Sequence, residues 1–162
     1  MKRFALLSLT LILSAFYQTA TAQEGWVQYS WPYYNLDFEL PSDFEVTTNT
    51  SDALEATGEG IRFALYPYQD EQLEANDLAG FVVKMAETDL NLSEIDELEL
   101  IEFEEMSGGF ITGEKDGLMY IVLGLIDPNS DNNFYAFVAF EEDKADVIED
   151  AIELFSSFSK SE

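Results

Sequence analysis

The chain of 162 residues lacks histidine and cysteine altogether, and basic residues are few. Without histidine there is no imidazole base and no histidine metal ligand. Without cysteine there are no disulfides, thiolate metal sites or thiol nucleophiles. Seven Lys and Arg stand against 33 Asp and Glu, which gives a net charge of −26. Phosphate binding needs clusters of basic residues, so nucleic acid is an unsuitable partner.

The chain is nevertheless rich in residues that build a core. Hydrophobic residues make up 47% and aromatic residues 14% of the sequence, whereas disordered acidic chains are poor in aromatics. The length suits one domain. We therefore expect one folded domain under an acidic coat, which keeps it soluble and attracts cationic ligands or basic proteins.

The first 22 residues have the pattern of a secretory signal peptide. Lys2 and Arg3 precede an apolar run at residues 4–17, and Ala20-Thr21-Ala22 is an A-x-A cleavage site. A membrane anchor is the alternative, but a bilayer span needs about 20 apolar residues. We expect cleavage before Gln23 and export to the periplasm or the extracellular space. The product would be a monomer that does not insert into a membrane.

Several segments have the residue patterns of β-strands. Short alternation of apolar and polar residues predicts half-buried strands at residues 35–40, 44–48, 53–57 and 61–66. Pro67 is expected to end the last of these. Residues 118–126 (LMYIVLGLI) and 134–140 (FYAFVAF) are apolar at nearly every position, as in strands covered on both faces. Asp116-Gly117 predicts a tight hairpin turn after a strand at residues 110–114.

The segment 93–106 is the most acidic of the chain. Its apolar positions change parity midway, which predicts a strand with a β-bulge, although Glu and Leu also favour a helix. This run is either a solvated strand face or a docking site for a basic partner.

Two amphipathic helices are also predicted. One begins at Asn76 or Asp77 and runs to about Leu90, with its apolar residues at helical spacing: Leu78, Phe81, Val82 and Met85. The other opens at Asp143, with Asp146 completing an acidic capping box, and its apolar stripe is Val147, Ile148, Ala151, Ile152 and Phe155. Helices on both faces of a mainly antiparallel sheet predict an α+β fold, a three-layer α/β/α sandwich.

Three motifs in this order resemble the PsbP/DcrB-type superfamily, which includes the Ran-binding nuclear import factor fold. Residues 34–44 (YNLDFELPSDF) are similar to its F-x-x-P-x-x-F/W entry hairpin, residues 109–117 (GFITGEKDG) to its central hairpin, and residues 148–158 to its closing I-x-x-S-F helix. The resemblance covers residues 34–160 and implies a PsbP-like domain. It also implies an accessory role without catalysis, and it supplies no catalytic residues.

The connection 127–133 contains a possible calcium loop. Asp127, Asn129, Asp131 and Asn133 place oxygen ligands at alternate positions, as Ca²⁺-binding loops do. The glycine and the bidentate glutamate that such loops use are replaced by Asn132 and by a valine. A plain hairpin loop has the same composition, so both interpretations stay open.

The segment 23–33 is aromatic and is predicted to be irregular. Trp26, Trp31 and Tyr33 would form a stacking platform for a partner if they are exposed, or would cover the edge of the sandwich if they are buried. The sequence thus predicts an exported, non-catalytic accessory or binding protein. The alternative is a Ca²⁺-dependent binding module that uses the loop 127–133, with possible Ca²⁺ as its only cofactor. A hydrolase with a pair of acids comes third, because no pair of carboxylates is marked out.

Overall fold

The computed structural model describes residues 25–58, 60–70, 72–141 and 147–161. The predicted signal peptide and the predicted capping box at Asp143 and Asp146 lie outside these ranges. Within them the chain forms the following strands and α-helices: β1 (Trp26–Trp31), β2 (Leu36–Pro41), β3 (Glu45–Asn49), β4 (Leu54–Gly58), β5 (Ile61–Gln69), α1 (Leu78–Lys84), β6 (Glu99–Glu102), β7 (Ser107–Lys115), β8 (Leu118–Ile126), β9 (Asn132–Glu141), α2 (Val147–Ser156) and β10 (Ser159–Lys160).

A seven-stranded antiparallel sheet forms the centre of the fold. Its strand order is β3-β4-β5-β9-β8-β7-β6, so β9 and β8 are inner strands with neighbours on both sides. Both are buried along most of their length, because layers pack on both faces of the sheet. This confirms the prediction that the two apolar runs are strands covered on both faces.

One face of the large sheet, the α1 face, packs against α1. The buried residues Leu78, Phe81 and Val82 lie on the sheet side of this helix, as their helical spacing predicts. The helix crosses β8 at Gly124, where a Cβ would overlap Val82. A π-helical segment, Met85–Leu90, continues α1, and Asn91 ends it in the left-handed conformation.

The opposite face, the α2 face, is covered by α2 and by a small antiparallel sheet of order β1-β2-β10. The alternation of β2 places Leu36, Phe38 and Leu40 in the core. Phe155 on α2 is also fully buried among them. The chain is therefore α+β and mainly antiparallel, as predicted, with a layer on each face of the large sheet.

The turn between β7 and β8 has the predicted form. Lys115 pairs with Leu118, so Asp116 and Gly117 alone make the turn. Their φ angles of 54° and 80° are both positive, which a type I′ hairpin requires and which glycine adopts without strain.

Three segments differ from the sequence prediction. The aromatic N-terminal segment is the regular strand β1, paired with β2, so no boundary separates it from the domain at Tyr34. Pro67 lies inside β5, which continues to Gln69. The pairing of β5 with β4 ends at Leu65, so β5 has no β4 neighbour at position 67. A proline, which has no N–H to donate, is therefore tolerated there without loss of a hydrogen bond to β4.

The acidic segment 93–106 is a strand only at β6. No register shift interrupts β6 against β7, so the predicted bulge is wrong. Before β6, the segment is tied to β7 by separate bonds, from the Ser93 N–H to the Glu114 carbonyl at 2.9 Å and from the Thr112 hydroxyl to Asp96 at 2.5 Å. These bonds to side chains and single carbonyls replace a regular ladder.

No helix in the described ranges is both long enough and apolar enough to cross a lipid bilayer.

Candidate functional site

Part of the α1 face is left open, because α1 lies over β7 and β8. The open part carries Glu55, Arg62, Tyr66, Tyr120 and Tyr135, and we call these five residues the tyrosine face. Register brings them together: Tyr66 pairs with Tyr135 across β5 and β9. The three tyrosines are half-buried, and the Arg62 side chain is 54% exposed. This surface therefore presents aromatic rings and a guanidinium to the solvent.

The polar groups of the tyrosine face bind one another. Glu55 Oε1 accepts hydrogen bonds from the Tyr66 hydroxyl at 2.8 Å and from Arg62 Nη2 at 3.0 Å. The bond from Tyr66 and the nearby Arg62 hold the pKa of Glu55 below its ordinary value, although burial acts in the opposite direction. Burial, together with the Glu55 carboxylate, raises the pKa of Tyr66. Glu55 thus stays ionised and Tyr66 stays protonated near neutral pH.

The rings of the tyrosine face pack on one another and on Phe137. Tyr66 and Tyr135 are stacked with centroids 5.2 Å apart, and the Arg62 guanidinium lies 5.4 Å from the centre of the Phe137 ring. Burial and the charge of Asp89 raise the pKa of Tyr135 to about 12. Because these side chains are already ordered, binding a partner here would cost little side-chain entropy.

The predicted metal loop has a different arrangement. The Asp127 carboxylate is 3% exposed, and its Oδ2 lies 2.6 Å from Lys160 Nζ on β10. It also accepts hydrogen bonds from the Asn129 N–H at 2.9 Å and the Ser130 hydroxyl at 2.8 Å. Burial acts to raise the pKa of Asp127, but these three donors outweigh it and hold the pKa below its usual value.

The other three predicted ligands do not converge on Asp127. Asn133 is buried: its Oδ1 accepts the Asp127 N–H at 3.3 Å, and its Nδ2 donates to the Asp70 carbonyl at 3.2 Å. Asn129 and Asp131 are exposed. Across the described ranges, no group of three or more acidic side chains is placed to hold a metal ion. The inward-facing residues of this motif anchor the β8–β9 connection to β5 and β10.

The predicted aromatic platform is divided between core and surface. Trp31 is fully buried, packs on Phe134 and donates its indole N–H to the Thr50 carbonyl at 2.9 Å. Trp26 is half-buried, and only Tyr33 is well exposed, at 56%. Trp31 is therefore a core residue and not a partner-binding one, because its strand is part of the small sheet.

The tyrosine face is not evident from the sequence alone. Its signal is present in β5, where Arg62 and Tyr66 occupy the positions that alternate with the core residues Phe63 and Leu65. A large aromatic at a solvent-side position is a mark of a binding surface. The partners of Tyr66 on β4 and β9 depend on register, which the sequence of one strand does not contain.

No family model and no curated protein matches the sequence. Solved structures do match the fold. Cyanobacterial PsbP (CyanoP) from Synechocystis sp. PCC 6803 aligns with a TM-score of 0.59 at 10% identity, over 91% of this chain and 98% of that one. The Ran-binding protein Mog1p of Saccharomyces cerevisiae aligns with a TM-score of 0.58 at 9% identity, over 83% of this chain and 95% of that one.

A Bacteroides thetaiotaomicron structure aligns with a TM-score of 0.52 at 10% identity, over 85% of this chain and 48% of that one. At such low identities the likeness concerns the fold alone. The resemblance predicted from the three short motifs is confirmed at this level: the chain has the PsbP/Mog1-like fold.

Proposed function

We propose that this chain is an exported, non-catalytic accessory protein that binds a partner protein through the tyrosine face. The observation that carries the proposal is the cluster of half-buried Tyr66, Tyr120 and Tyr135 around Arg62 on the open part of the α1 face. Tyrosine and arginine are among the residues that contribute most to the binding energy of protein interfaces. The signal-peptide pattern of residues 1–22 supports export.

The geometry of the tyrosine face suits recognition better than chemistry. Two of its groups are held in fixed protonation states: the pKa of Glu55 is lowered and that of Tyr66 is raised. A general acid or base works best with a pKa near the operating pH, and these shifts move both groups away from neutrality. The similar fold of a Ran-binding protein gives further support, because a partner-binding role is compatible with this architecture.

Site-specific photo-crosslinking tests the proposal. A photoreactive phenylalanine analogue is placed at Tyr120, and in a matched control at Tyr33, which is exposed but lies outside the tyrosine face. Cells expressing each variant are irradiated and their envelope and culture medium are compared. We expect a discrete crosslinked protein from position 120 and none from position 33. A product of the same mass from both positions, or none from position 120, would contradict the proposal.

The Arg62→Glu variant gives an independent measure of the same interaction. The Arg62 side chain is 54% exposed, so the substitution should leave the fold intact while reversing a charge on the face. Crosslinking from position 120 should then fall by about tenfold or more, as expected for loss of an arginine hot spot. An unchanged yield would show that the tyrosine face does not make the contact.

The Ca²⁺-dependent alternative would need Asp127 to exchange the Lys160 ammonium for the ion. Calorimetry and thermal unfolding with Ca²⁺ test it on the whole chain. Binding heat and a rise in Tm would support a calcium module, and their absence would remove it. Because the Asp127 carboxylate already has three donors, we expect neither signal.

A further inference from the structure

The edge strand β6 has an apolar side chain that the described residues leave exposed. β6 is the last strand of the large sheet, so within the described residues only one of its two edges is paired. Leu100 at its centre is 75% exposed, more than Val27, Tyr33 or Ile148. An open edge with an exposed leucine is a place where another extended chain can add.

β6 is also held firmly in place by the strand behind it. Leu100 and Ile101 face Gly109 and Gly108 of β7. A Cβ at Gly109 would come within 2.8 Å of the Glu99 carbonyl, and one at Gly108 would overlap the Phe103 ring. The glycine pair therefore lets the β6 backbone and Phe103 approach β7 closely. A rigid edge loses little entropy when a further strand is added.

The charge around β6 selects the class of strand that can add. Glu99 and Glu102 flank the apolar pair, and the segment 93–106 contains no basic residue. A second copy of this chain would bring the same carboxylates against them, which disfavours self-pairing. A cationic segment would instead meet opposite charges across the new strand pair.

The four basic side chains in the described ranges already have partners elsewhere. Arg62 binds Glu55, Lys84 donates to the Tyr68 hydroxyl, Lys115 donates to the Leu90 carbonyl and Lys160 binds Asp127. A partner that brings positive charge of its own would therefore complement the carboxylates of β6.

A groove at the end of β6 has room for the side chain of such a partner. It has a volume of about 400 Å³ and lies between the β6–β7 connection and β10. Met106 and Phe158 contribute apolar lining, and Glu102, Glu104 and Glu105 contribute carboxylates. Lys160 also lines the groove, but its ammonium binds Asp127, so the carboxylates outnumber the cations there. A lysine or arginine has the matching form, with an aliphatic stem and a charged tip.

We propose that β6 binds an extended segment of a partner protein by strand addition, and that this segment has two adjacent apolar residues flanked on each side by lysine or arginine. Leu100 and Glu102 share one face of the sheet, and Glu99 and Ile101 share the other. Each face of the added strand would thus meet one apolar and one acidic side chain. This contact is separate from the tyrosine face, which lies on β4, β5, β8 and β9.

The test uses the whole ¹⁵N-labelled chain and a short synthetic peptide with the central sequence Lys-Val-Val-Lys, which matches the order of acidic and apolar residues along β6. The control peptide has the same sequence with N-methylated backbone amides, so its charge is unchanged but it cannot pair as a strand. We expect NMR shift changes at Glu99–Glu102 with the first peptide and at least about tenfold weaker binding of the second. Equal binding of both peptides, or shifts that avoid β6, would overturn strand addition.

Two matched variants distinguish binding at β6 from binding at the edge strand β1. Leu100→Lys places a cation on β6, and Val27→Lys makes the same change at the exposed apolar residue of the edge strand β1. The first should weaken peptide binding by about tenfold or more, and the second by less than about twofold. Equal losses would show that binding follows the overall charge of the protein, which would also overturn the proposal. Tyr120→Ala should leave this affinity unchanged, so failure here and failure of the tyrosine face are distinguishable.

Discussion

The ion pair between Lys160 and Asp127 ties the C-terminal strand to the β8–β9 connection, and its removal should destabilise the fold in an asymmetric way. Asp127 is 3% exposed, whereas the Lys160 side chain is 22% exposed. Breaking a buried pair by removing one partner costs about 3–5 kcal/mol. Lys160→Met leaves a buried carboxylate that keeps its bonds from Asn129 and Ser130, so we expect a loss of about 2–3 kcal/mol.

Substitution of the other partner, Asp127, should destabilise the protein less. Asp127→Asn leaves the cation on Lys160, which is closer to water and can be hydrated there, so we expect about 1–2 kcal/mol. The double variant should lose less than the sum of the two single losses, because the interaction can be removed only once. Lys84→Met is the control: Lys84 is exposed, and its substitution should leave the stability nearly unchanged.

The pH dependence supplies a second readout. The pKa of Asp127 lies below its ordinary value of 3.8 in the folded protein. Its contribution to stability is therefore complete above that value and is lost as the pH falls through the lower folded pKa. Without Lys160, burial raises the pKa of Asp127 relative to the wild type. The destabilisation by Lys160→Met should thus shrink in acid as Asp127 becomes protonated.

Urea unfolding followed by circular dichroism, at neutral pH and in acid, measures these differences. If Lys160→Met lowers the free energy of unfolding by less than about 1 kcal/mol, the pair contributes no more than an exposed salt bridge, which would refute the reasoning from its burial. The same would follow if Lys160→Met cost less than Asp127→Asn, or if its cost did not change with pH.

Four further outcomes are expected. Gly124→Ala should destabilise the protein by about 1–3 kcal/mol because its Cβ overlaps α1. Gly80→Ala, at a helix position with open space, should stabilise the protein by about 0.5–1 kcal/mol. Urea unfolding of both glycine variants tests whether their free energies of unfolding change in opposite directions. NMR titration of ring-labelled tyrosines should give Tyr135 a pKa of about 12. The free energy of unfolding should then fall as the pH rises above 10, where the tyrosine ionises in the unfolded chain first. A measured pKa near 10 would contradict the burial of Tyr135. Acrylamide should quench Trp26 fluorescence and spare Trp31, and equal quenching of the two would contradict the buried indole.

The sequence predicts most of this fold because the central strands carry their own signal. The runs that became β8 and β9 are apolar on both faces, and only an inner strand between two layers buries both. The turn at Asp116 and Gly117 makes β7 the hairpin partner of β8 by backbone chemistry alone. These local requirements coincide with the global fold, so one sequence is enough to identify them.

The predictions failed where structure depends on distant partners. β1 carries aromatic residues on both faces, so its alternation is not visible until it pairs with β2. β10 has two residues and no pattern, and it exists because its Ser159 and Lys160 pair with Asp37 and Leu36. Such strands are defined by register and by side-chain contacts, and neither is written in local sequence.

The motif at residues 127–133 shows why site prediction from one sequence is harder than fold prediction. Carboxylate and amide oxygens at alternate positions suit both a cation and the N–H groups of a tight connection. The two functions differ only in what faces Asp127, and in this fold it is Lys160, brought there by the pairing of β10 with β2. The same principle applies to the tyrosine face and to β6: composition identifies the residues that can bind, and register decides which of them meet. Experiments on partner binding should therefore begin from pairs that the register creates, such as Tyr66 with Tyr135.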